Sequence, residues 1–395
     1  MKMHLTNNKR KLESAKPQDI KIIKANKLIF PERIDRGVLV IHGGKIVEIK
    51  KRISRLRKCE NYDFSQLFVA PGFVDLQVNG GLGIDFLNAS PEEIKKIIDF
   101  YLSHGTTGMV VTLVSSSLWR IRQALERIRS CNIPSILGVH LEGPFISKEY
   151  KGAHDGKYIL PPSKEMLVKI IDQYSRMIRI VTLAPELSGA DEVIDYIVNL
   201  GAVAALGHSS ATYAEAIQAI EKGVKLFTHL GNAMKGLHHR EPGAIGAALD
   251  SDAYVSLICD GIHLHPAFVR LVTKLKGFDR VCLITDAVSA TGLADGTYYL
   301  GDLPVVVTNG IARLPNGVLA GSTITMERAV QNFMKFTKCS LPEAIRCATL
   351  NPARLLGIDS EVGSINIGKW ADLIVFDNDF DIKHVFFHGN LMTAS

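Results

Sequence analysis

The chain has no long apolar run. No stretch of its 395 residues approaches the ~18 uninterrupted apolar positions of a bilayer-crossing helix, so no membrane span is expected. It also lacks a Cys-x-x-Cys pair. The six cysteines, Cys59, Cys131, Cys259, Cys282, Cys339 and Cys347, are scattered, several of them inside apolar runs such as "SLICDG". That pattern excludes a cysteine-rich zinc module or a disulfide scaffold and predicts buried, reduced thiols. Neither sign of charge dominates: 46 Lys and Arg stand against 40 Asp and Glu, a net charge of +6. With no strongly basic face and no aromatic RNA motif, nucleic acid is not an expected partner. Residues 1–19 are polar and basic without an apolar h-region. They read as a disordered or loosely held tail rather than a secretory leader, and the expected location is cytoplasmic.

What is present is ample core material, 47% hydrophobic residues, enough for one large core and a smaller unit. Residues 20–70 form short strand-like runs, and 362–395 has the same character. Neither end holds enough strands for a stable sheet, so the two are expected to pair into one small β-sandwich. Between them, over 71–361, apolar runs alternate with amphipathic segments. Strands are expected at 73–79, 107–114, 136–142, 178–184, 202–208, 225–230, 254–260 and 280–286. Helices lie between most of them, one with Ser90 as its N-cap. Eight strand–helix units predict an α/β fold, a (β/α)₈ TIM-like barrel. A Gly-rich, hairpin-like stretch at about 291–322 reads as an insertion over its mouth.

In such a barrel, chemistry sits at the C-terminal ends of the strands. Strand three ends at Glu142, strand five at His208 and strand six at His229. Strand seven leads to Asp260 and His263, and strand eight ends at Asp286. Each residue alone has an ordinary structural explanation. Glu142, His208, His229 and Asp286 converging at one end of four strands do not, because burying them idly costs several kcal/mol, on the order given for unpaired buried charge. Glu142, His208 and His229 form a mixed O/N set suited to a divalent transition metal such as Zn²⁺, with a fourth position left for water. Asp286 is then the base that takes the water's proton.

One further absence sharpens this. Barrel hydrolases with two metals often carry His-x-His at the end of strand one. Here the stretch reads "APGFVDLQVNGG", and the two places hold Gln77 and Asn79. Neutral amides are poor ligands beside imidazole but good hydrogen-bonding groups. The sequence favours one metal ion per chain, with Gln77 and Asn79 supporting or packing around it.

The segments "PGFVDLQVNG", "HLEGPF", "KGAHDG", "LGHSSA", "THLGNAM", "DGIHLHP", "TDAVSATG", "LAGSTITM" and "NPARLLGI…GSINIGKWADLIVFD" resemble, in order, the N-acetylglucosamine-6-phosphate deacetylases of the amidohydrolase superfamily. The resemblance implies metal-dependent hydrolysis of the acetamide of N-acetylglucosamine 6-phosphate. It assigns Glu142, His208 and His229 to the metal, and Asp286 to proton transfer. His154, beside Ala153, would help polarise the acetyl carbonyl. Asn232 and Ala233 match a phosphate-binding turn, Arg240 a phosphate-binding arginine and His263 a sugar-hydroxyl contact. Leu319, Ala320 and Gly321 match a lid. It further implies a homodimer in which Arg240 reaches the neighbouring subunit's substrate. Two rivals are disfavoured. A dihydroorotase- or hydantoinase-type enzyme would carry a metal-bridging Lys on strand four, where "RIVTLAPE" has none. A non-catalytic scaffold would have lost its ligands.

Overall fold

The computed structural model describes residues 20–52 and 59–392; the expected basic tail at 1–19 lies outside them. Packing divides the chain into two compact units. One holds the terminal segments with 102–107 and 340–395, and the other holds 75–101 and 108–339.

The larger unit is built on an eight-stranded parallel sheet. Its strands are Phe73–Val78, Thr106–Val114, Ile136–Glu142, Ile178–Leu183, Val203–Leu206, Val224–Phe227, Tyr254–Ile258 and Val281–Ile284, paired in chain order. The ends meet through a parallel bridge between Val78 and Ala287, which closes the barrel. Asp75 fastens the same seam: its carboxylate accepts the Thr285 hydroxyl at 2.5 Å and the Thr285 N–H at 3.3 Å. Every residue of Thr106–Val114 is buried, as expected where side chains on one face fill the barrel and on the other meet helices. The first helix, Pro91–Ser103, starts where the sequence places it. Ser90 Oγ accepts the Glu93 N–H, and the Glu93 carboxylate accepts the Ser90 N–H, a reciprocal cap.

After the eighth strand come three antiparallel strands, Gly296–Leu300, Leu303–Thr308 and Ile311–Arg313. Their Leu300, Val305, Val307 and Ala312 share an apolar cluster with Val114, Val288 and Ala320, which seats this insertion over the barrel mouth.

In the smaller unit, strands from both chain ends form one mixed sheet. Its path runs from Asn390–Met392 through Ile382–Phe387, Leu373–Phe376, Phe68–Pro71, Ile20–Phe30 and Arg33–His42 to Lys45–Lys50. Ile46 near one edge and Phe386 near the other belong to the same core, with Leu39, Val69 and Val375. The sheet therefore curls over on itself, giving the small β-sandwich. None of the six cysteines forms a disulfide.

Candidate metal and catalytic centre

The C-terminal strand ends converge as the pattern predicts. Glu142 closes strand three. His208, His229 and Asp286 lie two residues beyond the last paired residues of strands five, six and eight. Each of those three has a positive φ, 50°, 34° and 49° respectively. That left-handed conformation is rare outside glycine and takes a residue out of the ladder, turning its side chain across the barrel mouth. All four are buried. Glu142 Oε1 lies 3.1 Å from His208 Nε2 and 2.9 Å from His229 Nε2, and the two imidazole nitrogens are 3.1 Å apart.

The proton positions identify what this cluster is for. His208 Nδ1 is 3.0 Å from the Tyr150 carbonyl, which can only accept. The Nδ1 therefore carries a proton, and in the neutral ring Nε2 turns its lone pair toward Glu142 and His229. A carboxylate and the lone pair of a neutral imidazole then face each other at hydrogen-bond distance, an arrangement that a metal ion between them satisfies. The ligand atoms of Glu142, His208 and His229 all lie within 4.8 Å of one another. A single divalent ion fits this donor set. Burial would push Glu142 up, but its neighbours His154, His208 and His229 hold it well below the usual carboxylate range. It is thus an anionic ligand.

Around the cluster, Gln77 Nε2 donates to Glu142 Oε1 at 2.9 Å and Asn79 Nδ2 to Asp286 Oδ1 at 2.8 Å. The two amides at the end of strand one therefore hold the two carboxylates. Burial first, and then the negative charge of Glu142, push the Asp286 carboxyl up to about 8; a bound dication would act in the opposite direction.

His154 is buried, with its Nε2 3.7 Å from Glu142 Oε2. Its Nδ1 receives the Ser115 N–H at 3.3 Å and lies 2.9 Å from the Ser115 hydroxyl. An atom that accepts a backbone N–H carries no proton of its own, so neutral His154 has its proton on Nε2, on the Glu142 side. His263 Nδ1 is 2.6 Å from Asp260 Oδ2, and Asp260 Oδ1 accepts the N–H groups of Ile262 and His263. Asp260 thereby fixes the ring.

Glu142, His154, His208, His229, His263 and Asp286 line one cavity of about 310 Å³ with Asn79, Gly152, Ala153, Asn232, Ala233, Leu300, Leu319 and Gly321. Gly321 is there for a steric reason: its φ is 67°, and an added Cβ would lie 2.6 Å from the Asp286 carbonyl. Ala320 is buried in the insertion's cluster instead of lining the cavity. Arg240 is exposed, its guanidinium 2.8 Å from His239 Nε2, and it is not brought to the cavity. Among the described lining residues there is no Lys or Arg. Sequence reasoning missed Ser115 and Tyr150. Ser115 follows a strand end but carries no titrating chemistry, and Tyr150 contributes a main-chain carbonyl, which no side-chain pattern reveals.

The amidohydrolase family model matches residues 68–392. The chain belongs to the amidohydrolase family. Within that family it is 36% identical to the N-acetylglucosamine-6-phosphate deacetylase of Bos taurus, covering 90% of this chain and 91% of the relative. It is also 36% identical to the N-acetylgalactosamine-6-phosphate deacetylase of Escherichia coli O157:H7, covering 82% of this chain and 87% of the relative. The crystal structure of N-acetylglucosamine-6-phosphate deacetylase from Pasteurella multocida matches with a TM-score of 0.90 at 33% identity, over 94% of this chain and 99% of that one.

Proposed function

We propose that this chain hydrolyses the acetamide of N-acetylglucosamine 6-phosphate, releasing acetate and glucosamine 6-phosphate. The observation that carries the reading is the joint geometry of one cavity. A Glu–His–His cluster, the Asp286 carboxyl and an N–H donor on His154 all line the same cavity. Relatives with deacetylase names supply the substrate class.

A divalent ion held by Glu142, His208 and His229, with Zn²⁺ favoured by the O/N donor set, supplies Lewis acidity toward water and the acetyl oxygen. The rest is done by side chains. Asp286 takes a proton from the attacking water. His154 Nε2–H donates to the acetyl oxygen as it gains negative charge. Asp286 then returns the proton to the departing C2 nitrogen, otherwise a very poor leaving group. His263 offers Nε2 to a sugar hydroxyl, and the 232–233 turn faces the phosphate end. With no cation among the described lining residues, Arg240 of a second subunit is the phosphate partner in this reading. A planar guanidinium suits the role by binding phosphate in a bidentate fork. Strand four, Ile178–Leu183, has no lysine that could bridge two metals, which disfavours the dihydroorotase-type alternative.

The test is acetate release by zinc-loaded protein from N-acetylglucosamine 6-phosphate and from its C4 epimer. The gluco sugar should turn over with the higher kcat/KM. Asp286→Asn should keep its metal and lose about 10²–10⁴ in turnover, the usual worth of a general acid–base group. Preference for the galacto sugar would reassign the substrate. Near wild-type turnover in Asp286→Asn would remove Asp286 from the chemistry.

A further inference from the structure

Asn79 lines the cavity, and its side-chain oxygen Oδ1 is buried with no hydrogen-bond partner among the described residues. Asn79 is 3% exposed and is held at two other points. Its backbone N–H donates to the Ala287 carbonyl at 2.8 Å, and its Nδ2 donates to Asp286 Oδ1 at 2.8 Å. The amide nitrogen is the end that donates to Asp286, which leaves the amide oxygen without a donor among the described residues. A buried acceptor without a donor is costly, and the natural remedy is a donor on the ligand.

We propose that Asn79 Oδ1 accepts the N–H of the scissile amide and makes Asn79 a specificity-determining residue for secondary amides. This rests on the reading of Asp286 as the acid that serves the leaving nitrogen. That nitrogen must lie within reach of the Asp286 carboxyl. Asn79 is bonded to the same carboxyl and lines the same cavity, so its side-chain amide is placed to meet that nitrogen. In the tetrahedral adduct the nitrogen carries one hydrogen and one lone pair. With the hydrogen on Asn79 Oδ1, the lone pair is turned toward Asp286. The Asp286 O–H proton then passes to nitrogen, the C–N bond breaks, its electron pair stays on nitrogen, and the adduct oxyanion collapses to the carbonyl of acetate. An oxyester has no hydrogen at this position. Its bridging oxygen would face Asn79 Oδ1 lone pair to lone pair.

The two ends of Asn79 are separable by experiment. Nδ2, acting on Asp286, serves amide and ester alike, whereas Oδ1 serves only the amide. Rates on N-acetylglucosamine 6-phosphate and on 2-O-acetylglucose 6-phosphate would be compared in zinc-loaded wild type, Asn79→Ala and Asn79→Asp, with metal content checked in each. In Asn79→Ala both rates should fall, the amide rate by at least about tenfold more, the loss expected for a missing hydrogen bond to a reacting group. Asn79→Asp keeps an acceptor at the Oδ1 position, so its amide-to-ester ratio should stay near wild type although both rates fall. As a readout without turnover, Asp286→Asn should bind the amide more weakly once Asn79→Ala is added, with ester binding unchanged. Equal losses on both substrates in Asn79→Ala, or an unchanged binding preference, would overturn the proposal. A wild type inactive on both substrates would instead overturn the deacetylase reading beneath it.

Discussion

His208, His229 and Asp286 show how the site is made at single residues. Each leaves its strand in a left-handed conformation that a β-ladder cannot continue. This is why the expected strands 202–208, 225–230 and 280–286 stop short, at Leu206, Phe227 and Ile284. The residue types were legible because metal-binding and titrating side chains at strand ends are conspicuous. Their backbone strain was not, since it comes from neighbours far along the chain. Asp75 gives a residue-scale prediction. Burial pushes its carboxyl from an ordinary 3.8 up to about 7. A raised folded-state value means the folded chain holds the proton more tightly than the unfolded one. The stability this group contributes is full below about pH 4 and lost as pH rises through about 7. Asp75→Asn has no such proton. Its stability relative to wild type, from urea midpoints of metal-free protein, should improve as pH rises from about 4.5 to about 7.5. A difference independent of pH would show that Asp75 is ionised throughout.

At the scale of elements, the insertion after strand eight connects hairpin and chemistry. Leu300 and residues 318, 319 and 321 line the cavity, and Asp302 at the Leu300–Leu303 turn is tied to the segment that carries His154. Its carboxylate accepts from Arg120, from the Tyr158 hydroxyl at 2.9 Å and from Lys157 at 3.3 Å. Hairpin character was readable in the Gly-rich sequence, but this anchor was not, because its partners come from separate segments without periodicity. Asp302→Ala should raise KM a few-fold with kcat nearly unchanged, about what one partly exposed ion-pair network contributes. The insertion should also be cleaved faster in limited proteolysis. A fall in kcat with KM constant would contradict a tethering role.

For the whole molecule, the barrel and the terminal sheet were legible because strand–helix alternation and matching β character at the two ends each admit few topologies. The position of Arg240 was not, because an exposed loop carries no pattern that fixes where its side chain ends. If Arg240 serves a neighbouring subunit, mixing Arg240→Ala with Asp286→Asn under subunit exchange should restore activity. Each mixed dimer then has one site with both residues intact. A mixture that stays inactive, or a protein that sediments as a monomer, would place Arg240 in its own subunit or outside the site.

The central claim is that one metal ion on Glu142, His208 and His229 makes this chain a deacetylase. The most direct measurement is acetate release from N-acetylglucosamine 6-phosphate while zinc is added stepwise to metal-stripped protein. Activity should rise from the chelated baseline and break at about one equivalent per chain, the stoichiometry of a three-ligand site. A break at two equivalents, or acetate release that never exceeds the chelated control, would contradict it.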